Sequence, residues 1–279
     1  MKALFDTVSY GSSKLVTQTY STSFSLATKM LYKTIRSDIY NIYGFVRLAD
    51  EIVDSFQGYP QTILFNKFSE DLEYALKNKI SLNPILNAFQ HTYHKYSLDR
   101  TLVDAFMHSM QQDLHKSTYL TKEEFDAYIY GSADVVGLMC LKVFVKGNQQ
   151  KYNELKETAM ALGSAFQKVN FLRDLKADFE DLDRSYFPNT DLSKLNEVSK
   201  KTIIDDIELD FKKGLSGIRK LPVEAKFGVF MAYRYYKQLL KTLQKTPALK
   251  IKDSRIRVSN PKKIELLMRS YLKYQLNLM

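Results

Sequence analysis

Two acidic motifs are the part of this sequence best suited to chemistry. Asp50 and Asp54 are four residues apart, and Asp174 and Asp178 repeat that spacing further along the chain. On a helix, residues four apart share a face, with Cβ atoms about 6 Å apart, and two like charges there destabilise the isolated helix. Carboxylate oxygens suit hard cations, and Mg²⁺ is usually bound by one or two carboxylates together with waters and substrate phosphates. The spacing therefore predicts two carboxylate helices that hold Mg²⁺ and, through it, a diphosphate.

The residues around these motifs favour a site over an ordinary surface. Asn170 lies four residues before Asp174 and extends its polar stripe, with Gln167 just before it. Asp50 and Asp54 lie in the apolar sequence FVRLADEIVD rather than among alternating lysines and glutamates. One such pair occurs by chance on many exposed helices, so it is the second pair and the apolar context that favour a site. On spacing alone, two solvated helix faces remain the alternative.

Other motifs that carry chemistry are weak or absent in the sequence. His91 and His94 lie in a polar stretch without nearby cysteines, which is a poor basis for a zinc site. The glycine-rich signatures of dinucleotide and P-loop phosphate binding are missing, as is the G-x-S-x-G motif of hydrolases. The 19 tyrosines and 17 phenylalanines are typical of a core, and in a helical protein they can also line a long apolar cavity.

Long helices must position the acidic motifs, because apolar residues recur around them at spacings of three and four. This periodicity predicts helices over residues 37–57, 154–178, 227–243 and 264–278. Only 10 glycines and 6 prolines interrupt the chain, and alternating strand patterns between Asn-Gly or Asp-Gly turns are absent. Loops are predicted at residues 57–61, 146–150, 181–190 and 246–261. We therefore expect an all-α fold in which residues 1–279 form one domain.

Length and composition exclude several classes of protein. A chain of 279 residues, 45% hydrophobic and 26% charged, is neither disordered nor collagen-like, and its length suits one large domain or two small ones. The single cysteine, Cys140, cannot form an intrachain disulfide, which favours a reducing compartment. No uninterrupted apolar run reaches the roughly 18 residues of a membrane span, and the N-terminus does not resemble a signal peptide. These features predict a cytoplasmic protein.

The basic residues are concentrated near the C-terminus. The chain has 41 lysines and arginines against 31 acidic residues, a formal net charge of +10. Residues 237–263 contain nine basic residues and one acid. Such a stretch attracts phosphate, whether in nucleic acid, a lipid head group or a small substrate, although a solvated face is equally compatible with it. Nucleic acid is not an expected partner, because interleaved aromatic residues and any recognised binding module are missing.

Several segments, taken in order, match the motifs of one enzyme family. They are YSTSF at 20–24, YGFVRLADEIVD at 43–54, YIYGSADVVG at 128–137, QKVNFLRDLKAD at 167–178 followed by RSYFP at 184–188, YKQLL at 236–240 and RIRV at 255–258. The chain thus resembles the squalene and phytoene synthase family of head-to-head isoprenyl diphosphate synthases over nearly its whole length. Two departures are Glu51, where many members have aspartate, and Asp134, where a small residue is usual.

The resemblance implies an isoprenoid-synthase-type helical bundle around a central cavity. It also implies Mg²⁺-dependent condensation of two identical allylic diphosphates, through a cyclopropyl diphosphate, to a linear hydrocarbon. Two or three Mg²⁺ ions are implied, with Mn²⁺ as the alternative. The implied metal ligands are Asp50, Asp54, Asn170, Asp174 and Asp178. The implied diphosphate- and prenyl-binding residues are Ser21, Ser23, Thr28, Arg47, Gln167, Arg173, Arg184 and Arg257. The implied catalytic tyrosines, for each of which core packing is the alternative, are Tyr43, Tyr128 and Tyr236.

Within the family we expect a phytoene synthase that uses two geranylgeranyl diphosphates and no nicotinamide. Thr28 lies on the face expected to line the prenyl tunnel, and its small side chain leaves length for a C20 tail. The alternatives are a squalene or dehydrosqualene synthase using farnesyl diphosphate, and a non-catalytic assembly or lipid-binding factor. Because the product is a long hydrocarbon, we expect peripheral attachment to the anionic inner face of the cell membrane, through Lys245, Lys250 and Lys252.

Overall fold

The computed structural model describes residues 1–116, 118–175, 186–187, 195–253 and 255–276, and these residues form helices without any β-strand. The all-α prediction is therefore confirmed. In chain order the helices are α1 (Lys2–Tyr20), α2 (Thr22–Lys29), α3 (Lys33–Asp54), α4 (Gln61–Asn78), α5 (Pro84–Tyr96), α6 (Arg100–Gln112), α7 (Lys122–Ile129), a π-helical turn (Tyr130–Asp134), α8 (Val135–Phe144), α9 (Gln149–Arg173), α10 (Glu197–Ile218), α11 (Val223–Lys245), α12 (Ala248–Asp253) and α13 (Asn260–Gln275).

The four periodic segments of the sequence correspond to α3, α9, α11 and α13, each found within a few residues of its predicted bounds. One predicted loop is wrong in part, because residues 246–261 contain the short helix α12. Its residues Ala248 and Ile251 are 3% and 0% exposed and belong to a hydrophobic cluster with Leu240 and Leu243 of α11. A helix of six residues is too short to show a periodic pattern. Most of the predicted loop 181–190 lies outside the described residues.

Polar caps fix where the helices that matter for the site begin. The Ser21 side chain accepts from the backbone N–H of Phe24 and so starts α2. Asn148 caps α9 in the same way, through the N–H of Lys151. Caps of this kind satisfy N–H groups that have no partner within the helix, and each contributes about 1 kcal/mol. They set the start of α2 and of α9, the helices that carry Ser23 and the second acidic motif.

A cluster of aromatic rings packs against one face of α3. Phe45 is fully buried and stacks on Phe89 with ring centroids 4.0 Å apart, while Phe106 meets it edge-on at 5.4 Å. Burying a phenylalanine stabilises a fold by roughly 1.5–3 kcal/mol. With one face of α3 fixed by these rings, the opposite face is turned towards the interior of the bundle.

Helices α9 and α10 run antiparallel and lie very close together. Lys168 pairs with Asp210 at 2.8 Å near one end of the contact, and Lys220 pairs with Glu154 at 3.1 Å near the other. Between them a Cβ on Gly217 would lie only 2.0 Å from Oγ1 of Thr158. The absence of a side chain at Gly217 is therefore what permits this approach.

One continuous helical run, Lys122–Phe144, is long and apolar enough to cross a membrane by length and composition. In the fold, 56% of its most apolar window is buried, and the run packs against α3, α6 and α9. It therefore has the character of a core helix. The π-helical turn lies in its middle, where a Cβ on Gly131 would lie 1.9 Å from Oγ of Ser109.

The first helix, α1, buries small hydroxyl-bearing side chains against the bundle. Its fully buried residues are Ser9, Ser13 and Thr17, and it packs against α3 and α5. Asn87 of α5 donates to Oγ of Ser9 at 3.0 Å. On the other face, Leu4, Val8 and Leu15 are more than half exposed.

Candidate active site

An apolar cavity of about 270 Å³ lies between α2, α3, α8, α9, α10 and α11. Gln167 and Leu155, twelve residues apart on α9, both line it, so at 1.5 Å per residue it extends for about 18 Å along that helix. Its wall is almost entirely hydrocarbon and aromatic. A long narrow apolar cavity of this kind suits an extended hydrocarbon chain better than a compact polar ligand.

Polar groups gather at one end of the cavity. Tyr43, Gln167 and Tyr236 line that end, and the Tyr236 hydroxyl donates to Oδ1 of Asn170 at 3.3 Å. Tyr43 stacks on Phe24, with ring centroids 4.7 Å apart, and interacts with the Ser21 side chain. Burial raises the pKa of Tyr43 to about 12, so its hydroxyl stays protonated and can donate a hydrogen bond.

Both acidic motifs lie beyond this polar end. On α3, Asp50 and Asp54 come one and two turns after the cavity-lining Val46. On α9, Asn170 and Asp174 come one and two turns after Phe166, which also lines the cavity. Since the two helices bound the same cavity and Asp50 is close enough to Tyr43 to influence its ionisation, the two motifs meet at one mouth. Asp178, the fifth predicted metal ligand, lies outside the described residues.

Arginines neutralise the acids at the mouth. Arg47 donates to Asp50 and to Glu51, and its guanidinium lies 4.5 Å from the centre of the Tyr20 ring. These contacts place Glu51, one of the two departures from the family pattern, in an ion pair with the arginine beside the metal motif. The predicted Arg184 lies outside the described residues.

The second acidic motif meets an arginine that was not among the predicted site residues. Arg173 donates to Asp174 through Nε at 2.9 Å, and Nε of Arg255 lies 2.8 Å from the same oxygen, Oδ1. Burial, together with nearby Arg173 and Arg257, lowers the pKa of Arg255. The signal was present in the RIRV segment, but the family resemblance selected Arg257 rather than Arg255. Both arginines are exposed.

The donor set at the mouth fits Mg²⁺. Asp50, Asp54, Asn170 and Asp174 present only oxygen ligands, which a small hard cation prefers. Among the residues that the structure describes, no three acidic, histidine or cysteine side chains converge into a closed metal cage. An open arrangement is what Mg²⁺ commonly uses, since it keeps waters and shares substrate phosphate oxygens. These four residues are the ones that would hold it.

Thr28 and Cys140 both line the cavity, from different helices. Thr28 is 2% exposed and lines the cavity from α2. Cys140 lines it from α8, and burial raises the pKa of its thiol to about 12, so no thiolate nucleophile faces the cavity. Ser23, half-buried in the first turn of α2, lies near the mouth beside Ser21.

Tyr128, the third predicted catalytic tyrosine, is not among the residues that line the cavity. It is 4% exposed, its hydroxyl donates to Oδ2 of Asp113 at 2.9 Å, and its ring stacks on Phe171 and Tyr186. The physical reason is the π-helical turn just after it, which changes the helical register so that the wall begins only at Ser132.

Asp134, the other departure from the family pattern, ends the π-helical turn and is 6% exposed. Its carboxylate accepts from Oγ of Ser164 at 2.7 Å, so it faces α9 rather than the cavity wall. Burial raises the pKa of Asp134 to about 7. The carboxyl group therefore changes charge near neutral pH without touching the cavity.

Comparison with known proteins agrees with this architecture. A model of the squalene/phytoene synthase family matches residues 17–262. The chain is 29% identical to a 15-cis-phytoene synthase from Synechocystis, covering 93% of this chain and 83% of that one, and 26% identical to a phytoene synthase from Arthrospira platensis, covering 85% and 84%. A dehydrosqualene synthase crystal structure superposes with a TM-score of 0.83 at 18% identity, over 97% and 98% of the two chains. The chain belongs to the squalene/phytoene synthase family.

Proposed function

We propose that this protein is a phytoene synthase, which joins two geranylgeranyl diphosphates head to head and releases two diphosphates. The observation that carries the proposal is the apolar cavity, about 18 Å deep along α9, with paired acidic motifs at its mouth and the small Thr28 in its wall. Relatives named as phytoene synthases, which are 26–29% identical over most of the chain, support the same substrate class.

The residues at the mouth are suited to binding and releasing diphosphate. Mg²⁺ bound there would supply positive charge that stabilises the leaving diphosphate. The guanidinium groups of Arg47 and Arg173 can donate paired hydrogen bonds to phosphate oxygens, a geometry that arginine matches well. The protonated hydroxyl of Tyr43 and the hydroxyl of Tyr236 add polar groups at the point where the diphosphate meets the prenyl chain.

The cavity itself protects the cation that remains. Loss of diphosphate leaves an allylic cation, which the ring faces of Tyr43, Phe166 and Tyr236 can stabilise. The double bond of the second substrate adds to it, and loss of a proton gives the cyclopropyl diphosphate. Loss of the second diphosphate, rearrangement and loss of another proton then give phytoene. Water would trap either cation, so the apolar wall and the protonated thiol of Cys140 are as important as the ligands.

The runner-up is condensation of two farnesyl diphosphates. A 4,4'-diapophytoene synthase from Staphylococcus haemolyticus is 27% identical, although it covers only 68% of this chain and 65% of its own length. A non-catalytic role is less well supported, because Asp50, Asp54 and Asp174 are all present and lie at the mouth.

Product analysis tests the proposal directly. Purified protein is incubated with Mg²⁺ and either the C15 or the C20 diphosphate, with and without reduced nicotinamide, and the hydrocarbon is identified by mass. We expect a C40 hydrocarbon from the C20 substrate, independent of nicotinamide. Preferential C30 formation would favour the runner-up, a requirement for nicotinamide would indicate a squalene synthase, and no product would favour the non-catalytic role.

We also propose peripheral attachment to an anionic membrane, on its cytoplasmic side. The product has negligible solubility in water, and α13 exposes Ile264, Met268 and Leu272 at spacings of four, on one stripe. The exposed Arg269 and Lys273 of α13 and the exposed Lys245 and Lys250 favour anionic head groups. The side chain of Lys252, the third predicted lysine, lies outside what the structure describes.

Vesicle co-sedimentation tests the attachment. Reversal of Lys245, Lys250 and Lys252 to glutamate should weaken binding to anionic vesicles, and Met268→Asp should weaken binding to anionic and neutral vesicles alike. The matched control is Leu82→Asp, at an exposed leucine in the segment between α4 and α5, which should change neither. Equal binding by all variants would refute the attachment by this surface.

A further inference from the structure

Lys263 is a buried cation whose hydrogen-bond partner is only a hydroxyl. It is 8% exposed, and its Nζ donates to Oγ1 of Thr22 at 2.7 Å. Within the described ranges no carboxylate pairs with it, whereas Lys168 and Lys200, which are as deeply buried, pair with Asp206 and Asp210 and with Glu197 respectively. The fourth buried lysine, Lys142, contacts the Gln149 amide oxygen and lies over the Tyr152 ring.

Such an arrangement is costly without an anion. Removing an ammonium group from water is repaid only when opposite charge or enough hydrogen bonds replace the lost hydration. One hydroxyl oxygen replaces little of it. Burial and the neighbouring Arg257 lower the pKa of Lys263, as expected where two cations approach each other. A negatively charged ligand would relieve both effects.

The surroundings of Lys263 are also positive. Thr22 is the first residue of α2, and Lys263 lies in the first turn of α13, so the N-termini of two helices meet at their contact. The first N–H groups of a helix have no partner within it and, with the helix dipole, favour anions. The C-terminus of α1 also ends at Ser21 and offsets part of this effect, so the positive charge at this point comes chiefly from Lys263 and Arg257.

This point adjoins the mouth of the cavity. Ser21, next to Thr22, interacts with Tyr43, and Phe24 in the same turn stacks on Tyr43. Both aromatic residues line the cavity. A prenyl chain in the cavity could therefore place its diphosphate at Lys263 rather than at the acidic motifs. The proposed reaction requires two diphosphates to be held together, and the acidic motifs account for the one bound through metal.

We propose that Lys263, presented by α13 to the start of α2, binds the diphosphate of one allylic substrate directly, without an intervening metal ion. The proposal rests on the proposed function for the identity of the substrate, but the anion site itself does not. Lys263 lies 241 residues after Thr22 in the chain, so α13 supplies this part of the mouth from a distant part of the sequence.

Binding of inorganic diphosphate in the presence of EDTA tests the site by calorimetry. We expect Lys263→Met to lose at least tenfold in affinity relative to the wild type. The control is Lys262→Gln, on the same helix, whose Nζ pairs with Glu265 at 2.9 Å and which should bind as the wild type does. Equal affinity of the wild type and Lys263→Met would overturn the proposal.

Thermal melting separates binding from folding. Since Lys263→Met removes a buried charge that lacks an acidic partner, the variant should melt no lower than the wild type when diphosphate is absent. The wild type should gain melting temperature on addition of diphosphate, and the variant should lose most of that gain. A variant that melts markedly lower yet keeps the full gain would show a structural role only and would overturn the proposal.

A relocated charge gives a second check. The Thr22 side chain lies 2.7 Å from Nζ of Lys263, so Thr22→Lys combined with Lys263→Met brings an ammonium group back to the start of α2. We expect recovery of most of the lost affinity. A folded double variant that binds as weakly as Lys263→Met would overturn the proposal, because it would show that packing rather than charge is required.

These outcomes can be told apart from failure of the proposed function. If diphosphate binding depends on Lys263 but no C40 hydrocarbon forms from the C20 substrate, the anion site stands and the function fails. If phytoene forms and Lys263→Met leaves both KM and diphosphate affinity unchanged, the function stands and the inference about Lys263 fails.

Discussion

Nε of Arg255 lies 2.8 Å from Oδ1 of Asp174, and Arg173 donates to that same oxygen at 2.9 Å. Two guanidinium groups therefore converge on one carboxylate oxygen. A diphosphate could take over hydrogen bonds from either arginine, because guanidinium groups also bind phosphate oxygens. Both arginines are thus placed to bind phosphate beside a predicted metal ligand.

Replacement of Asp174 tests its role as a metal ligand. Asp174→Asn keeps the shape of the side chain but removes the charge that binds metal, so turnover should fall by at least about 10²-fold at saturating Mg²⁺. Circular dichroism and the melting temperature should show an intact fold, because Asp174 lies at the end of α9. Unchanged turnover would contradict the metal assignment. Asp54→Asn should behave similarly, and a milder effect there would indicate that Glu51 substitutes as a ligand.

Replacement of Thr28 tests the length of the cavity. Thr28→Phe adds a ring to a wall residue that is 2% exposed, so the ratio of kcat/KM for the C20 substrate to that for the C15 substrate should fall at least about tenfold. Thr28→Val, of nearly equal volume, is the control and should leave the ratio unchanged. If Thr28→Phe processes both substrates in the wild-type ratio, the prenyl chain does not pass Thr28.

Asp134 should make stability depend on pH. Burial raises its pKa from 3.8 to about 7, so between these values the folded state holds a proton that the unfolded state has lost. The free energy of unfolding is then greatest at low pH within this window, falls as pH rises through about 7, and levels off above it. At 1.36 kcal/mol per pKa unit, this contribution is at most about 4 kcal/mol, and the nearby charges of Lys168 and Asp210 modulate it.

The variant Asp134→Asn removes this titration while its side-chain oxygen can still accept from Ser164. Urea unfolding at pH 5 and pH 8 should show that the variant loses less stability than the wild type over this interval. If the free energy of unfolding changes equally with pH in the two proteins, the carboxyl group of Asp134 is ionised in the folded state throughout this interval.

Gly217 should be irreplaceable in a way that another helical glycine is not. Gly217→Ala forces its Cβ against Thr158, where it would meet Oγ1 at 2.0 Å, and should lower the free energy of unfolding by about 1–3 kcal/mol. Gly11→Ala is the control, because no atom lies within 4 Å of its added Cβ, and it should raise stability by roughly 0.5–1 kcal/mol. Chemical denaturation of both variants checks the pair, and a destabilised Gly11→Ala would undermine the comparison.

The sequence predicts those parts of the fold and site that depend on local spacing. Asp50 and Asp54 share a helix face whatever the tertiary structure, and the same holds for Asn170 and Asp174. The periodicity of α3, α9, α11 and α13 is equally local, so these helices could be predicted directly from the chain. The prediction of an all-α fold follows from the periodicity of these four helices.

Contacts between distant residues could not be predicted in this way. Arg255 is 81 residues from Asp174, and Lys263 is 241 from Thr22, so neither contact leaves a periodic signal. The assignment of Tyr128 as a catalytic residue came from the family resemblance rather than from spacing. Local spacing could not show that a π-helical turn follows it or that the cavity wall begins at Ser132.

The small hydroxyl-bearing residues that α1 buries affect how easily this helix separates from the rest of the bundle. Ser9, Ser13 and Thr17 bury little hydrocarbon, so α1 owes less to the hydrophobic effect than α3, whose Phe45 lies in the aromatic core. Helices held in this way can detach in a local opening that costs far less than global unfolding. Because α1 leads directly into Ser21, that opening would free the start of α2 while the rest of the bundle stays folded.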